Sequence, residues 1–403
     1  MLYRMYARLY QSVFRLVSPL LPWREPELLE GPDTVLAVPS LLVERNIHRV
    51  LLVTDQGIMQ LGLPLPLLDA LRTTGIETTV YDGVRPNPTI SNIEEALKLY
   101  TAQGCEALIA FGGGSSMDCA KGIGARLARP TKTIPQMKGV LKIRKKIPLL
   151  IAIPTTAGTG SEATLAAVIS NPETHEKYPI NDHVLIPHVA VLDPKLTIAL
   201  PPHITSTTGM DALTHAIEAF IGKSNTRFTE RAALEAGRLI FHYLPRVYTD
   251  GADLDGRGQL LRAAYLAGAA FTRAYVGYVH AMAHQLGGFY NTPHGLANAV
   301  ILPYVLDYFG PAVWPRLGRF ARETGIAPAS STDEQAARIC IEQIKTMNHA
   351  MNIPDTIDTI TETDIPTLVR RALKEANPLY PVPRILGPRD LTELFYRVGG
   401  YKK

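Results

Sequence analysis

Near residue 200 the pattern of this chain changes, and that change limits its folds more than any other feature. From about residue 30 to 200, apolar runs at 49–54, 77–81, 107–111, 149–154 and 189–192 alternate with helical patterns such as 65–73 and 90–102. Strands and helices in alternation predict a mainly parallel sheet covered by helices, with ligands at the carboxyl ends of the strands. Beyond Leu200-Pro201-Pro202 the patterns are helical only: 228–244, 259–286, 333–351, 365–376 and 391–398. At 403 residues the chain exceeds one ordinary core, so two domains are expected, 28–200 and 201–403, after an extension at 1–27.

Chemistry is concentrated in the helical half. Residues 277–298 read GYVHAMAHQLGGFYNTPHGLAN and hold three of the eleven histidines. His280 and His284 are four apart, hence on one face of a helix, and Asn291-Thr292-Pro293 should bend the chain so that His294 swings back. Upstream, GMDALTHAIEA places Asp211 and His215 four apart as well. One carboxylate and three imidazoles (Asp211, His215, His280, His294) suit Fe2+, Zn2+, Mn2+ or Ni2+. An isolated pair of this spacing is usually structural; two pairs plus a histidine in a Pro-His-Gly turn favour a metal. HAMAH lacks the glutamate that metalloproteases use as base, which disfavours peptide hydrolysis.

The α/β half offers anion sites. After 107–111 comes Gly112-Gly113-Gly114-Ser115-Ser116-Met117-Asp118, leading into a helical 119–127: glycines for close backbone approach, serines at a positive helix end, a natural seat for a pyrophosphate. A tight strand-to-helix turn is the plain alternative. Asp55, at the end of 49–54, would accept from a ribose diol and repel a 2′-phosphate, favouring NAD over NADP. Thr155-Thr156-Ala157-Gly158-Thr159-Gly160-Ser161 follows 149–154 and offers hydroxyls without bulk.

The formal charge of +4 equals the four arginines (Arg4, Arg8, Arg15 and Arg24) of residues 1–24, which contain no acid and no lysine. The basic balance therefore belongs to a tail rather than to a nucleic-acid-binding face. In that tail Leu2, Met5, Tyr6, Leu9, Val13, Leu16 and Val17 follow a helical period opposite Arg4, Arg8, Gln11, Ser12 and Arg15, and Ser18-Pro19 should end the helix. Such a helix docks on its own or a partner subunit, lies peripherally on an anionic membrane, or serves as a presequence; docking is the first expectation. Scattered Cys105, Cys119 and Cys340 point to a reducing, cytoplasmic setting without disulfides.

With these motifs in hand, the chain from about residue 28 onward resembles the iron-dependent (group III) alcohol dehydrogenase family. The resemblance rests on Pro86-Asn87-Pro88-Thr89, GGGSSMD at 112–118, PTTAGTGSE at 154–162, GMDALTHAIEA and GYVHAMAHQLGGFYNTPHGLANA. It implies a Rossmann-like, dehydroquinate-synthase-like α/β domain followed by an all-α domain, and a homodimer. It implies Asp211, His215, His280 and His294 as ligands of Fe2+, with Zn2+ as the alternative, and His284 beside the nicotinamide in proton transfer. It assigns Gly113, Gly114 and Ser115, with Asp118 closing the motif, to the pyrophosphate of NAD. Asp55, Asn87, Thr155, Thr156, Thr159 and Lys177 go to the rest of the dinucleotide, and Phe271 to the substrate pocket.

The expected activity is reversible NAD-linked oxidation of a primary alcohol to an aldehyde. A cleft between the two domains would bring cofactor and metal together. The run Thr272-Arg273-Ala274-Tyr275-Val276 departs from the family's small or amide residues and would alter substrate preference if Arg273 or Tyr275 faces the pocket. Two other readings stay open: a metal- and NAD-using sugar-phosphate cyclase of the same fold, and a non-catalytic NAD-binding protein attached to membranes by its tail.

Overall fold

A computed structural model of the chain describes residues 2–18, 21–172 and 176–401, and it forms two compact units, Pro22–Ala199 and Met1–Leu21 with Leu200–Lys403. Helix α1 (Leu2–Val17) opens the chain and belongs to the second unit. The expected stop at Pro19, and the places expected for the Leu2 and Arg4 side chains, lie outside the described residues.

In Pro22–Ala199 the strands are β1 (Glu27–Glu30), β2 (Arg49–Val53), β3 (Glu77–Tyr81), β4 (Ala107–Gly112), β5 (Gly139–Val140), β6 (Leu149–Pro154), β7 (Ala166–Asn171), β8 (Glu176–Asn181) and β9 (Val189–Leu192). Helices α2 (Val38–Glu44), α3 (Gln56–Gln60), α4 (Leu65–Thr73), α5 (Ile90–Ala102) and α6 (Gly114–Ala128) intervene. Six strands form a wholly parallel sheet in the order β1-β9-β6-β4-β2-β3. Side chains alternate between its faces: Leu51, Val53, Leu108 and Ala110 enter one core, and Val50, Leu52, Ile109 and Phe111 the other. Helices cover both faces, which is why β4 reads as an unbroken apolar run instead of an alternating one. The chain leaves β2 toward β3 on one side and returns to place β4 on the other, so the carboxyl ends of β2 and β4 flank a topological switch point, the usual place for a nucleotide. The expected α/β half is thus present.

Three strands were not expected to pair by themselves: β5, β8 and β7 make a separate small sheet. Helix α6 also starts five residues before the expected 119, with Gly113 as its cap, so Ser115 and Ser116 sit in its first turn and not at the cap.

The other unit is helical: α7 (Pro202–Ile221), α8 (Arg227–Thr249), α9 (Leu254–Ala274), α10 (Tyr278–Tyr290), α11 (His294–Phe309), α12 (Trp314–Glu323), α13 (Asp333–Ala350), α14 (Ile365–Ala376) and α15 (Pro388–Val398). Helix α7 is its axis, buried at nearly every position from Thr205 to Ile221. The pattern expected as one helix over 259–286 is broken in two at Tyr275, whose φ of 65° ends α9. Among the described residues no single helix is long and apolar enough to cross a membrane.

Candidate metal centre and dinucleotide loops

Asp211 and His215 lie one turn apart on buried α7, and both are almost wholly withdrawn from solvent. Helix α10 brings His280 and His284, runs on through Gly287 and Gly288, and ends at Asn291 with φ 54°. The chain then folds back and α11 begins at His294. The next residue must be glycine: a Cβ at Gly295 would fall 2.4 Å from the carbonyl oxygen of Thr207. That close approach of α11 to α7 sets His294 beside Asp211.

One ligand atom from each of Asp211, His215, His280 and His294 lies within 4.8 Å of the other three. The Nε2 atoms of His215, His280 and His294 stand 3.9, 3.7 and 3.5 Å from Asp211 Oδ1. Ligands about 2.1 Å from a tetrahedral cation are about 3.4 Å apart, so the set is at coordinating spacing.

The surroundings fit a cation. Glu218, one further turn along α7, accepts from Gly277 N at 2.8 Å and Val279 N at 2.9 Å and lies 2.7 Å from His280 Nδ1. With Nδ1–H donated to that carboxylate, the His280 Nε2 lone pair is left facing Asp211. Asn298 Nδ2 donates to Asp211 Oδ1 at 2.6 Å and lies 3.2 and 3.1 Å from Nε2 of His280 and His294. Its own Oδ1 is buried without a hydrogen-bond partner among the described residues. Acceptors thus crowd one point, with one amide donor among them. Burial alone would raise the Asp211 pKa, but the imidazoles hold it far below the usual carboxylate range. Burial likewise opposes protonation of His280, yet Asp211 and Glu218 push it up to about 9. Both directions describe a receptor for positive charge.

Around this core, His215 stacks on Phe271 with ring centroids 4.2 Å apart, and half-buried His284 stacks on His294 at 5.2 Å. His284 Nδ1 is 2.6 Å from Glu375 Oε1, and Glu375 also accepts from Tyr380 Oη and Gln285 Nε2, both at 2.9 Å. Arg273 lays its guanidinium 3.9 Å over the Phe228 ring, and Tyr275 holds the corner between α9 and α10. Glu218, Asn298 and Glu375 were missed in the sequence. Glu218 and Asn298 carried a signal, lying seven residues after Asp211 and four after His294 on the same helices. Glu375, 91 residues from His284, carried none.

In the α/β unit the expected dinucleotide residues gather at the strand ends. Asp55 follows β2 and caps α3, with Oδ1 accepting from Ile58 N at 3.0 Å. Asn87, at φ 59°, donates its backbone N–H to Ser115 Oγ at 3.3 Å, and its side-chain Oδ1 accepts from Lys177 Nζ at 2.7 Å. Thr155 N donates to Gly112 O at 3.1 Å, and Thr156 faces Gly113. Thr159 packs so closely on Gly114 that a Cβ there would lie 3.0 Å from its methyl. Asp118 is engaged differently: its two oxygens accept from Ser161 Oγ and Val168 N, both at 3.1 Å, which ties α6 to the small sheet. Lys121, unanticipated, is fully buried and donates to Ser161 O and Oγ, Thr164 Oγ1 and Ala166 O, pinning the far side of the same turn. Burial draws its pKa down to about 8 despite Asp118 and Glu162.

Residues 26–194 match the iron-containing alcohol dehydrogenase family, and residues 205–398 match the C-terminal region of the Fe-containing alcohol dehydrogenases. The chain belongs to this family. As an iron-containing alcohol dehydrogenase it is 36% identical over 369 residues to the 1,3-propanediol dehydrogenase of Citrobacter freundii, covering 91% of this chain and 95% of that one. The crystal structure of a 1,3-propanediol oxidoreductase superposes with a TM-score of 0.90 at 36% identity, over 93% of this chain and 99% of the other. The sulfoacetaldehyde reductase of Bifidobacterium kashiwanohense, solved in complex with NAD+, gives 0.84 at 27% identity over 94% and 99%. The family's similarity spans both units, so neither the glycine and threonine loops nor the histidine cluster is an isolated likeness.

Proposed function

We propose that this chain is a metal-dependent, NAD(H)-linked oxidoreductase that interconverts a primary alcohol and an aldehyde by hydride transfer. The observation that carries the reading is the convergence of Asp211, His215, His280 and His294 at coordinating spacing. Fe2+ is the assigned metal, and Zn2+ suits the same nitrogen and oxygen donors. NAD is supported by the NAD+ complex of the sulfoacetaldehyde reductase and by Asp55, whose Oδ2, not used in capping α3, suits a ribose diol and opposes a 2′-phosphate. Residues 28–200 form the dinucleotide-binding domain in this reading, and 201–403 the metal-binding one. The family resemblance and three buried free cysteines go with a homodimer in the cytoplasm.

A divalent cation held by these four side chains supplies Lewis acidity toward an alcohol oxygen, and NAD supplies the hydride acceptor. The chain's own groups do the rest. Glu218 fixes the ring of His280, so that the coordinating atom does not wander. Glu375 takes the Nδ1–H of His284, leaving Nε2 to accept the alcohol proton and pass it to solvent. Phe271, stacked on His215, gives the substrate an apolar wall. Asn87, Ser115 and Lys177, already joined by hydrogen bonds, hold the dinucleotide with the amides of Gly113 and Gly114. Thr155, Thr156 and Thr159 line the same side. A sugar-phosphate cyclase would need several cations at its metal to hold the phosphate, and Arg273 is instead laid on Phe228.

Anaerobically purified protein should contain about one iron or zinc per chain and reduce NAD+ with primary alcohols, screened by increasing chain length. Metal-free protein with full turnover, or binding of NAD+ with no net NADH from any alcohol, would refute the proposal.

A further inference from the structure

We infer that α1 seats the protein on an anionic lipid surface, with its apolar face in the headgroup boundary and its polar face on the protein. For a docked helix, α1 is inside out. Among the described residues of α1 the buried side chains are Ala7 and Gln11, and the bonds this helix makes to the rest of the chain are polar. Arg8 donates to the carbonyl oxygens of Val382 at 2.7 Å and Pro383 at 2.8 Å, and Gln11 to those of Pro378 at 3.0 Å and Tyr380 at 2.8 Å. The apolar stripe points away: Met5, Leu9, Val13 and Leu16 are 60, 67, 53 and 75% exposed, and Tyr3, Tyr6 and Val17 are exposed beside them. Docking alone explains the polar face and leaves the other without a purpose.

Two observations select a membrane over a second copy of the chain. Residues 1–24 contain no acid, and Arg15 is exposed and complementary to anionic headgroups, whereas Arg8 and Arg24 are held by carbonyls of the chain itself. A two-fold contact through α1 would instead set two such segments against each other. Interfacial helices sink only part of their thickness into the lipid, which matches a single exposed apolar stripe. Finally, Tyr3, Tyr6 and Tyr10 form a ladder along one edge of the stripe, with neighbouring centroids 6.4 and 6.5 Å apart. Amphipathic rings of this kind favour headgroup depth.

The test is flotation of the full chain with vesicles of phosphatidylcholine alone and of phosphatidylcholine mixed equally with phosphatidylglycerol. The protein should float with the mixed vesicles, and salt should weaken the binding. The combined variant Leu9→Ser, Val13→Ser and Leu16→Ser should lower the bound fraction about tenfold, as should, to a smaller degree, Arg15→Glu. Both should retain the wild-type melting temperature and NAD-linked turnover of a soluble alcohol, which certifies the fold. Failure of the wild type to float, or equal flotation of wild type and the combined variant, would overturn the inference. So would a combined variant that sediments as a smaller species than wild type, since the stripe would then belong to a second copy.

Discussion

Imidazole is used in opposite ways in the two units. In the α/β unit His188 accepts the backbone N–H of Leu150 on Nδ1 at 3.0 Å, next to the sheet. Burial, helped by Arg24 and Arg45, draws its pKa down to about 4 and keeps it neutral. In the helical unit three imidazoles turn acceptor atoms toward one carboxylate, and the pKa of His280 goes the other way, up to about 9. An acceptor matched to one N–H is a closed account of hydrogen bonding, whereas four acceptors aimed at one point call for positive charge. Residue type does not separate these roles; the count of converging acceptors does.

The contrast is most exposed to His280→Ala. Metal content should fall below about a tenth of an equivalent and turnover by at least ~10³-fold, because a four-ligand shell loses its most buried nitrogen. NAD+ binding, followed by fluorescence, should stay within about twofold, since its residues belong to the other unit. A variant that keeps its metal and its rate would erase the distinction. Glu218→Gln is subtler. It leaves the shape and takes away the anionic partner of His280 Nδ1, and chelator competition should show metal binding weakened ~10–100-fold. Unchanged affinity would reduce Glu218 to a filler.

His188 gives the smallest effect, with the opposite dependence on charge. Its folded pKa, about 4, lies below the ordinary value of 6.5, so the neutral ring stabilises the fold. That contribution is complete above pH 6.5 and is lost as the pH falls toward 4. Denaturant titrations at pH 7 and pH 5 should therefore show wild type losing about 1–2 kcal/mol more than His188→Gln, a figure already discounted for partial exposure. Parallel losses in the two proteins would place His188 outside the sheet's stability.

What the sequence revealed follows from the same physics. Strands β2, β4, β6 and β9 were readable because both their faces are buried, which leaves continuous apolar runs, and the edge strand β3 because its run Thr78-Thr79-Val80-Tyr81 is β-branched and aromatic. Strand β1 is four residues with a glutamate at each end, and Pro179 interrupts β8, so neither carried that signal. The four clustered side chains were readable because two pairs repeat the helical period and a proline turn precedes His294. The break in the 259–286 pattern was not, because Tyr275 adopts a left-handed backbone that neither glycine nor proline announces. Partners that orient rather than coordinate were the hardest to see. Glu375 reaches His284 across 91 positions, a proximity that only tertiary packing creates.

The corner between α9 and α10 has a consequence for variation in this chain. Glu218 receives the amides of both Gly277 and Val279, so α10 is locked in rotational phase to α7 at its first turn. A residue added or removed between Ala274 and Tyr278 would pull one of these amides away from Glu218 and so disturb the carboxylate that orients His280. The corner is therefore constrained in length and also in identity at Gly277, where a Cβ would fall 2.5 Å from Glu218 Oε1.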